Sequence, residues 1–182
     1  TAGWNVTTMS YALKSELVLA VETSCDDTAA AVVAGGRRVL SSHVASQEEI
    51  HALFGGVVPE VASRKHVEAI THVVQAALDE AGVTWDDLGG LAVTNGPGLI
   101  GSLLVGVSAQ KAYCLATGLP LVGVNHLDAH VNSNFCDLSG RLVAGPSEGA
   151  PEDFPALCLT VSGGHSDLVL LRSRGEMELL GC

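Results

Sequence analysis

One pattern occurs twice in this chain: a β-rich run, a short polar turn and a second β-rich run. The first copy consists of Leu17-Val18-Leu19-Ala20-Val21, the turn-formers and acids Ser24-Cys25-Asp26-Asp27, and a run from Thr28 to Val33. Gly35-Gly36 then separates that run from a third, Val39 to Ala45. Paired glycines between β-rich runs mark a hairpin, so the opening is expected to be a three-stranded antiparallel meander. The second copy is Ala156 to Val161, the tight turn Ser162-Gly163-Gly164-His165, the returning run Ser166 to Leu171, and a further short run at Met177 to Leu180. A duplicated unit of this kind predicts two lobes built alike, the second left unfinished at Cys182.

The segment between the copies alternates helix and strand signals. Pro59 opens a long helical pattern in which Val61, Val67, Ile70, Val74, Ala77, Leu78 and Ala81 recur near a 3.6 period until Gly82 stops it. Leu88 to Thr94 reads as a buried strand, Asn95-Gly96-Pro97-Gly98 as a loop, and Leu99 to Thr117 as a helix rich in small residues that can pack closely on a sheet. Leu121 to Val124 is another short strand, followed by a helix beginning near His126. Strand–loop–helix alternation after a meander indicates an α/β architecture with a mixed sheet. From Ser139 to Pro155 periodicity disappears and Gly, Pro, Ser and Glu dominate, as in a linker. The expected division is an extension over residues 1–16, a first lobe over 17–138, a loop over 139–155 and the start of a second lobe over 156–182.

Composition narrows the function classes. Hydrophobic residues make up 47% of 182 positions, enough for a substantial core, which disfavours disorder, a collagen-like fibre or a small disulfide scaffold. With 9 Lys+Arg against 20 Asp+Glu the formal charge is −11. The few scattered basic residues cannot form the positive stripe that a phosphate backbone requires, so any nucleic-acid partner must be held with help. The five cysteines are odd in number and contain no Cys-x-x-Cys pair, which fits a reducing cytosol better than zinc or redox chemistry. No apolar run reaches the length of a membrane span, residues 1–15 lack the order of a signal peptide, and the Asn5-Val6-Thr7 sequon is a chance match in a cytosolic protein. The expected location is the cytoplasm.

Several segments can carry chemistry. In Glu22-Thr23-Ser24-Cys25-Asp26-Asp27, hydroxyls and backbone amides can cup a phosphate while Asp26 or Asp27 holds a cation; an ordinary acidic turn is the plainer alternative. In Val161-Ser162-Gly163-Gly164-His165, adjacent glycines let amides approach an anion, or simply form a hairpin. His126 and His130 stand four apart on a helix, so both imidazoles share one face and can reach one metal ion, with Asp128 on another side of the turn. The glutamate of a His-Glu-x-x-His protease helix is missing. Asn95 to Ser102 places amides at a helix N-terminus but lacks dinucleotide-fold or P-loop spacing, leaving close strand-to-helix packing as an equal reading. Gly55-Gly56 runs into a helix with Glu60, Arg64 and His66 on or near one side, a solvated face in the plainer reading.

Taken in order, these residues resemble the N-terminal half of the TsaD family, tRNA N6-adenosine threonylcarbamoyltransferases once described as O-sialoglycoprotein endopeptidases. The matching residues are Glu22 to Thr28, His51 with Phe54 to Arg64, Gly96 to Gly106, Asn125-His126 with His130, and Val161 to His165. The resemblance runs from Leu17 to Gly181. It implies an actin-like ATPase-superfamily (ASKHA) fold, here a first lobe with a mixed sheet plus the start of a second lobe. It also implies one divalent metal ion per subunit, iron or else zinc, on His126 and His130, and a substrate pocket lined by Thr160, Val161, Ser162, Gly163 and Gly164.

The implied reaction moves a threonylcarbamoyl group from threonylcarbamoyl-AMP to the exocyclic amine of the adenosine beside the tRNA anticodon, with TsaB-like and TsaE-like partners. Asp26 or Asp27 would organise the phosphate or accept the amine proton. Family members continue into a second lobe carrying a further acidic metal ligand, and Cys182 stands where they usually have Glu, so these 182 residues are expected to be an incomplete fragment, inactive alone. The alternatives are a metal-dependent carbamoyltransferase of the same superfamily acting on a small molecule, a non-catalytic actin-like scaffold, and a sugar-kinase-like ATP user. Retention of both histidines speaks against the scaffold.

Overall fold

The alternation in β1 (Leu17–Glu22) sorts the molecule into faces. Leu19 and Val21 are buried on one side, while Ala20 and Glu22 leave the strand on the other. The structure is a computed structural model and describes residues 15–36, 38–134, 154–161, 166–173 and 176–182.

β1 pairs antiparallel with β2 (Thr28–Ala34), and β2 pairs antiparallel with β3 (Arg38–Ala45), giving the expected meander. Gly35 and Gly36 both take positive φ, 58° and 68°, in the hairpin, a conformation that favours glycine. β4 (Gly90–Gly96) adds parallel to β1, and β5 (Leu121–Asn125) adds parallel to β4. The sheet order is therefore β3-β2-β1-β4-β5, mixed as anticipated.

A short helix α1 (Glu48–Ala52), which the periodicity did not predict, precedes α2 (Pro59–Ala81). Pro59 starts α2 without losing a bonded amide, and Gly82 ends it in the left-handed conformation at φ 67°. On one face of the sheet, Leu19, Val21, Ala30, Val32 and Leu91 pack with Ile70, Val73, Val74, Ala77 and Leu78 of α2. The buried stripe of α2 corrects the sequence reading at two positions. Val67 is 62% exposed, and His66, expected near a solvated side with Glu60 and Arg64, is fully buried. The stripe runs Ala62, His66, Ile70, Val73, Val74, Ala77, Leu78, and His66 enters it because both ring nitrogens find partners there.

α3 (Ile100–Thr117) packs beside α2 on the same sheet face. Ser102, Gly106 and Gln110 are its buried residues, and the Gln110 amide donates to the Ala92 carbonyl at 3.1 Å. α4 (His126–Ser133) follows β5 with no intervening loop and lies over the opposite face. The second copy of the repeat forms β6 (Ala156–Val161), β7 (Ser166–Ser173) and β8 (Glu176–Gly181), a three-stranded antiparallel meander. Val131 of α4 and Leu171 of β7 join Phe154, Ala156, Cys158 and Met177 in a small second core. Most of the expected extension and most of the linker lie outside the described residues. Among the described residues no helix is long and apolar enough to cross a membrane.

Candidate functional site

β1, β4 and β5 run parallel, so their carboxyl ends reach one edge of the sheet, the place where open α/β sheets bind ligands. Glu22, Thr94 and Asn125-His126 stand at those three ends. The Asn125 side chain accepts from the Leu127 and Asp128 amides at 2.9 and 3.2 Å, capping α4 at once. That cap fixes His126 in the first turn at the sheet edge. One turn later His130 points back: the two Nε2 atoms face each other at 3.0 Å, and the rings stand at 85°. Between two imidazole nitrogens this close there must be either one proton or one shared cation.

Glu22 lies behind this pair. Its Oε1 accepts the Ser24 amide, its Oε2 accepts the Thr94 hydroxyl at 2.5 Å, and Oε2 is 3.1 Å from His126 Nδ1. Burial alone would raise the Glu22 pKa, but hydrogen bonds from Ser24, Thr94 and His126 outweigh it and hold the carboxyl below its ordinary range. The Ser24 hydroxyl is also 3.1 Å from His126 Nδ1. Along the sheet face beside the histidines runs an open groove of about 310 Å³, walled by Ala20, Ala29, Ala31, Ala92 and Val124 and ending at His126 and His130.

Asp26 and Asp27 sit in the β1–β2 turn at this same edge, Asp26 half-buried and Asp27 exposed. The turn is held from below rather than left open as a cup of hydroxyls. Thr23 donates to the Ser102 carbonyl at 2.8 Å, and Thr28 shares a 2.8 Å hydrogen bond with His66 Nδ1, so neither hydroxyl is turned to a ligand. His66 Nε2 lies 3.0 Å from the Cys25 carbonyl, which can only accept, so the proton is on Nε2 and Nδ1 accepts from Thr28. Burial, a hydrogen bond with Asp26 and the charges of Asp26 and Asp27 push the Cys25 thiol up to about 11.

The Asn95–Ser102 segment resolves as close packing. The Leu99 amide donates to the Ser24 carbonyl at 2.8 Å, and a Cβ on Gly98 would meet that carbonyl oxygen at 2.6 Å. Glycine at 98 lets the β4–α3 loop rest directly on the acidic turn.

The donor set fits half of a metal site. Two imidazole nitrogens 3.0 Å apart are close enough for both to reach one ion at ordinary metal–nitrogen lengths of about 2.0–2.1 Å. Among the described residues no group of three or more His, Cys, Asp or Glu side chains is placed to hold a metal ion, so an ion on this pair would need further ligands from elsewhere. Of the predicted substrate residues, Thr160 and Val161 end β6, which packs against α4, the helix that carries both histidines. Ser162, Gly163 and Gly164 lie outside the described residues.

Sequence reasoning named Asp26, Asp27, His126 and His130, and all four fall at one sheet edge. It gave no role to Glu22, Thr94 or His66. The parity of β1 contained the signal for Glu22, the strand-end carboxylate on the face opposite Val21. For His66 the signal was its i, i+4 relation to Ala62 and Ile70.

The chain is similar to known proteins. A family profile described as TsaD, tRNA N6-adenosine threonylcarbamoyltransferase, matches residues 38–182. A protein of that name from Symbiobacterium thermophilum is 54% identical over 169 residues, covering 93% of this chain and 46% of the relative. Another from Pelobacter propionicus is 54% identical over 165 residues, covering 91% and 45%. The chain thus spans about half the length of the curated relatives it matches. Among solved structures, YeaZ from Pseudomonas aeruginosa superposes with a TM-score of 0.57 at 22% identity, covering 92% of this chain and 65% of that one, which establishes the actin-like fold. A mixed sheet with α4 at its carboxyl edge, a profile match over most of the chain and identities above half lead to one conclusion: this chain belongs to the TsaD family.

Proposed function

We propose that the full-length protein transfers a threonylcarbamoyl group from threonylcarbamoyl-AMP to the exocyclic amine of the adenosine beside the tRNA anticodon, with this chain providing two ligands of its divalent metal ion. The observation that carries this reading is the pair of Nε2 atoms of His126 and His130, 3.0 Å apart at the carboxyl edge of the parallel strands. The ion would be iron, as the family resemblance implies, or else zinc, both of which imidazole nitrogens suit. When bound, such an ion supplies Lewis-acid polarisation of the carbamate or carboxylate of the substrate.

The chain's own residues bind and orient. In the reaction a C–N bond forms to the adenosine amine, the C–O bond to phosphate breaks, and AMP leaves. Asp26 or Asp27 organises the phosphate or accepts the proton the amine loses. Thr160, Val161 and the turn Ser162-Gly163-Gly164 receive the substrate, the glycines allowing amides to approach its phosphate. The amine needs positioning more than activation, because a carbamoyl–phosphate mixed anhydride is already a reactive donor. With a formal charge of −11, this chain relies on TsaB-like and TsaE-like partners or on the remaining half of the protein to grip tRNA, and the setting is cytoplasmic.

The test combines the full-length protein, its partners, threonylcarbamoyl-AMP and tRNA, and analyses the nucleosides by mass spectrometry. Threonylcarbamoyladenosine is the expected product, lost in Gly163→Val at an unchanged melting temperature. Unmodified adenosine with the wild-type assembly contradicts the proposal.

A further inference from the structure

We propose that Glu22 is a positioning residue that fixes the tautomer of His126, placing the ring proton on Nδ1 so that Nε2 offers its lone pair to the ion shared with His130. This rests on the metal reading above and names the group that makes one of the two ligands available.

An imidazole has one proton for two nitrogens, and only the bare nitrogen can ligate. Glu22 Oε2 is 3.1 Å from His126 Nδ1, and an ionised carboxylate has no proton to give, so the hydrogen across that gap belongs to Nδ1. The Ser24 hydroxyl at the same distance decides nothing, since it can donate or accept equally well. The carboxylate also cannot turn away. Oε1 is tied to the Ser24 amide and Oε2 to the Thr94 hydroxyl, so the group is anchored to the β1 turn and to the end of β4. Thus the ends of β1 and β4, and His126 at the end of β5, meet at one carboxylate, and the ring it holds presents Nε2 to His130 at 3.0 Å.

The experiment uses full-length protein carrying ¹⁵N-labelled histidine. Long-range ¹H–¹⁵N spectra of the ion-free protein read the His126 tautomer, and titration with Zn²⁺ alone reads affinity. In Glu22→Gln the shape is kept, but an NH₂ can now face Nδ1 and donate to it, which moves the ring proton to Nε2. The wild type should show Nδ1–H. Glu22→Gln should show Nε2–H with zinc affinity weakened about 10–100-fold at an unchanged melting temperature. Ser24→Ala should keep Nδ1–H.

Nδ1–H retained in Glu22→Gln, wild-type zinc affinity in that variant, or a tautomer switch in Ser24→Ala overturns the proposal. If the Glu22→Gln melt shows lost fold, Glu22→Asp draws the carboxylate back by one methylene and should give mixed tautomers; pure Nδ1–H there is equally fatal. A wild type that takes up no zinc overturns the metal reading instead, a failure distinguishable because the tautomer is read without the ion.

Discussion

At position 66 a fully buried imidazole occupies a place where the α2 stripe otherwise carries Ala62, Ile70 and Val74. It is tolerated because one nitrogen accepts from Thr28 and the other donates to Cys25, so the ring ties α2 to the floor of the acidic turn. Removing it leaves a cavity and two buried groups without their partner. His66→Ala should therefore lower stability by about 3 kcal/mol, measured by urea unfolding. A loss below about 1 kcal/mol would mean that the turn holds itself. Cys25, on the same turn, is exposed but chemically quiet, its thiol pushed up to about 11 from 9.0 by burial and by its acidic neighbours. The sign is that of a group kept neutral: at pH 8 its thiolate fraction is about a hundredfold smaller than that of an unperturbed thiol. Alkylation by iodoacetamide, followed by peptide mass spectrometry, should be slow at Cys25 in folded protein and fast once the protein is unfolded. Equal rates would show that neither burial nor the acidic neighbours Asp26 and Asp27 hold the thiol protonated. At this scale the sequence revealed which residue types cluster, since Asp26, Asp27, His126 and His130 sit in short motifs. Pairings such as Glu22–His126, 104 positions apart, depend on which strands become neighbours, and no local spacing encodes that.

α3 shows how an element is seated on a sheet. Its glycines at 101 and 106 look alike in sequence but face different neighbours. A Cβ at Gly101 would meet the Ser63 hydroxyl at 2.4 Å and its Cβ at 3.4 Å, on a half-buried side chain whose hydroxyl donates to the Pro59 carbonyl and can turn to another rotamer. A Cβ at Gly106 would meet Thr23 Oγ1 at 2.4 Å, and that hydroxyl is buried and bonded to the Ser102 carbonyl. Alanine gains up to about 1 kcal/mol of helix propensity over glycine, whereas overpacking a buried contact costs about 1–3 kcal/mol. Gly101→Ala should accordingly be near neutral and Gly106→Ala destabilising by about 1–2 kcal/mol, read from thermal melts; the reverse order would refute this seating of α3. The helices and strands themselves were legible. Pro59 and Gly82 bracket α2, and the three runs of the meander became β1, β2 and β3 within a residue or two. α1 escaped notice because five residues are too few for a periodic signal. Apolar residue type alone puts Val67 in the α2 stripe, but the helical position that faces the core is the one His66 fills.

For the whole molecule, charge and duplication matter most. Nine basic residues against twenty acidic ones leave few cations that can displace counterions from a phosphate backbone. The 182 residues alone should therefore bind tRNA weakly, as measured by fluorescence anisotropy across a salt series, and a full assembly should bind with a steep salt dependence. Tight, salt-sensitive binding by this chain alone would locate recognition here instead. The duplicated strand–turn–strand pattern correctly announced two meanders. What it could not announce is that α4 bridges them, with Val131 reaching the core of the second sheet and His126 and His130 at the edge of the first. On that second sheet Leu157, Leu159 and Val161 remain 65–69% exposed, an apolar row on β6 beside the helix that carries the site.

The central claim, that His126 and His130 hold the ion on which transfer depends, is met most directly by one paired measurement. Metal content by mass spectrometry and threonylcarbamoyl transfer to tRNA are determined together on full-length wild type, His126→Ala and His130→Ala. The account predicts about one ion per wild-type subunit, loss of the ion in both variants and loss of transfer with it. Full transfer by either variant without its metal would contradict it.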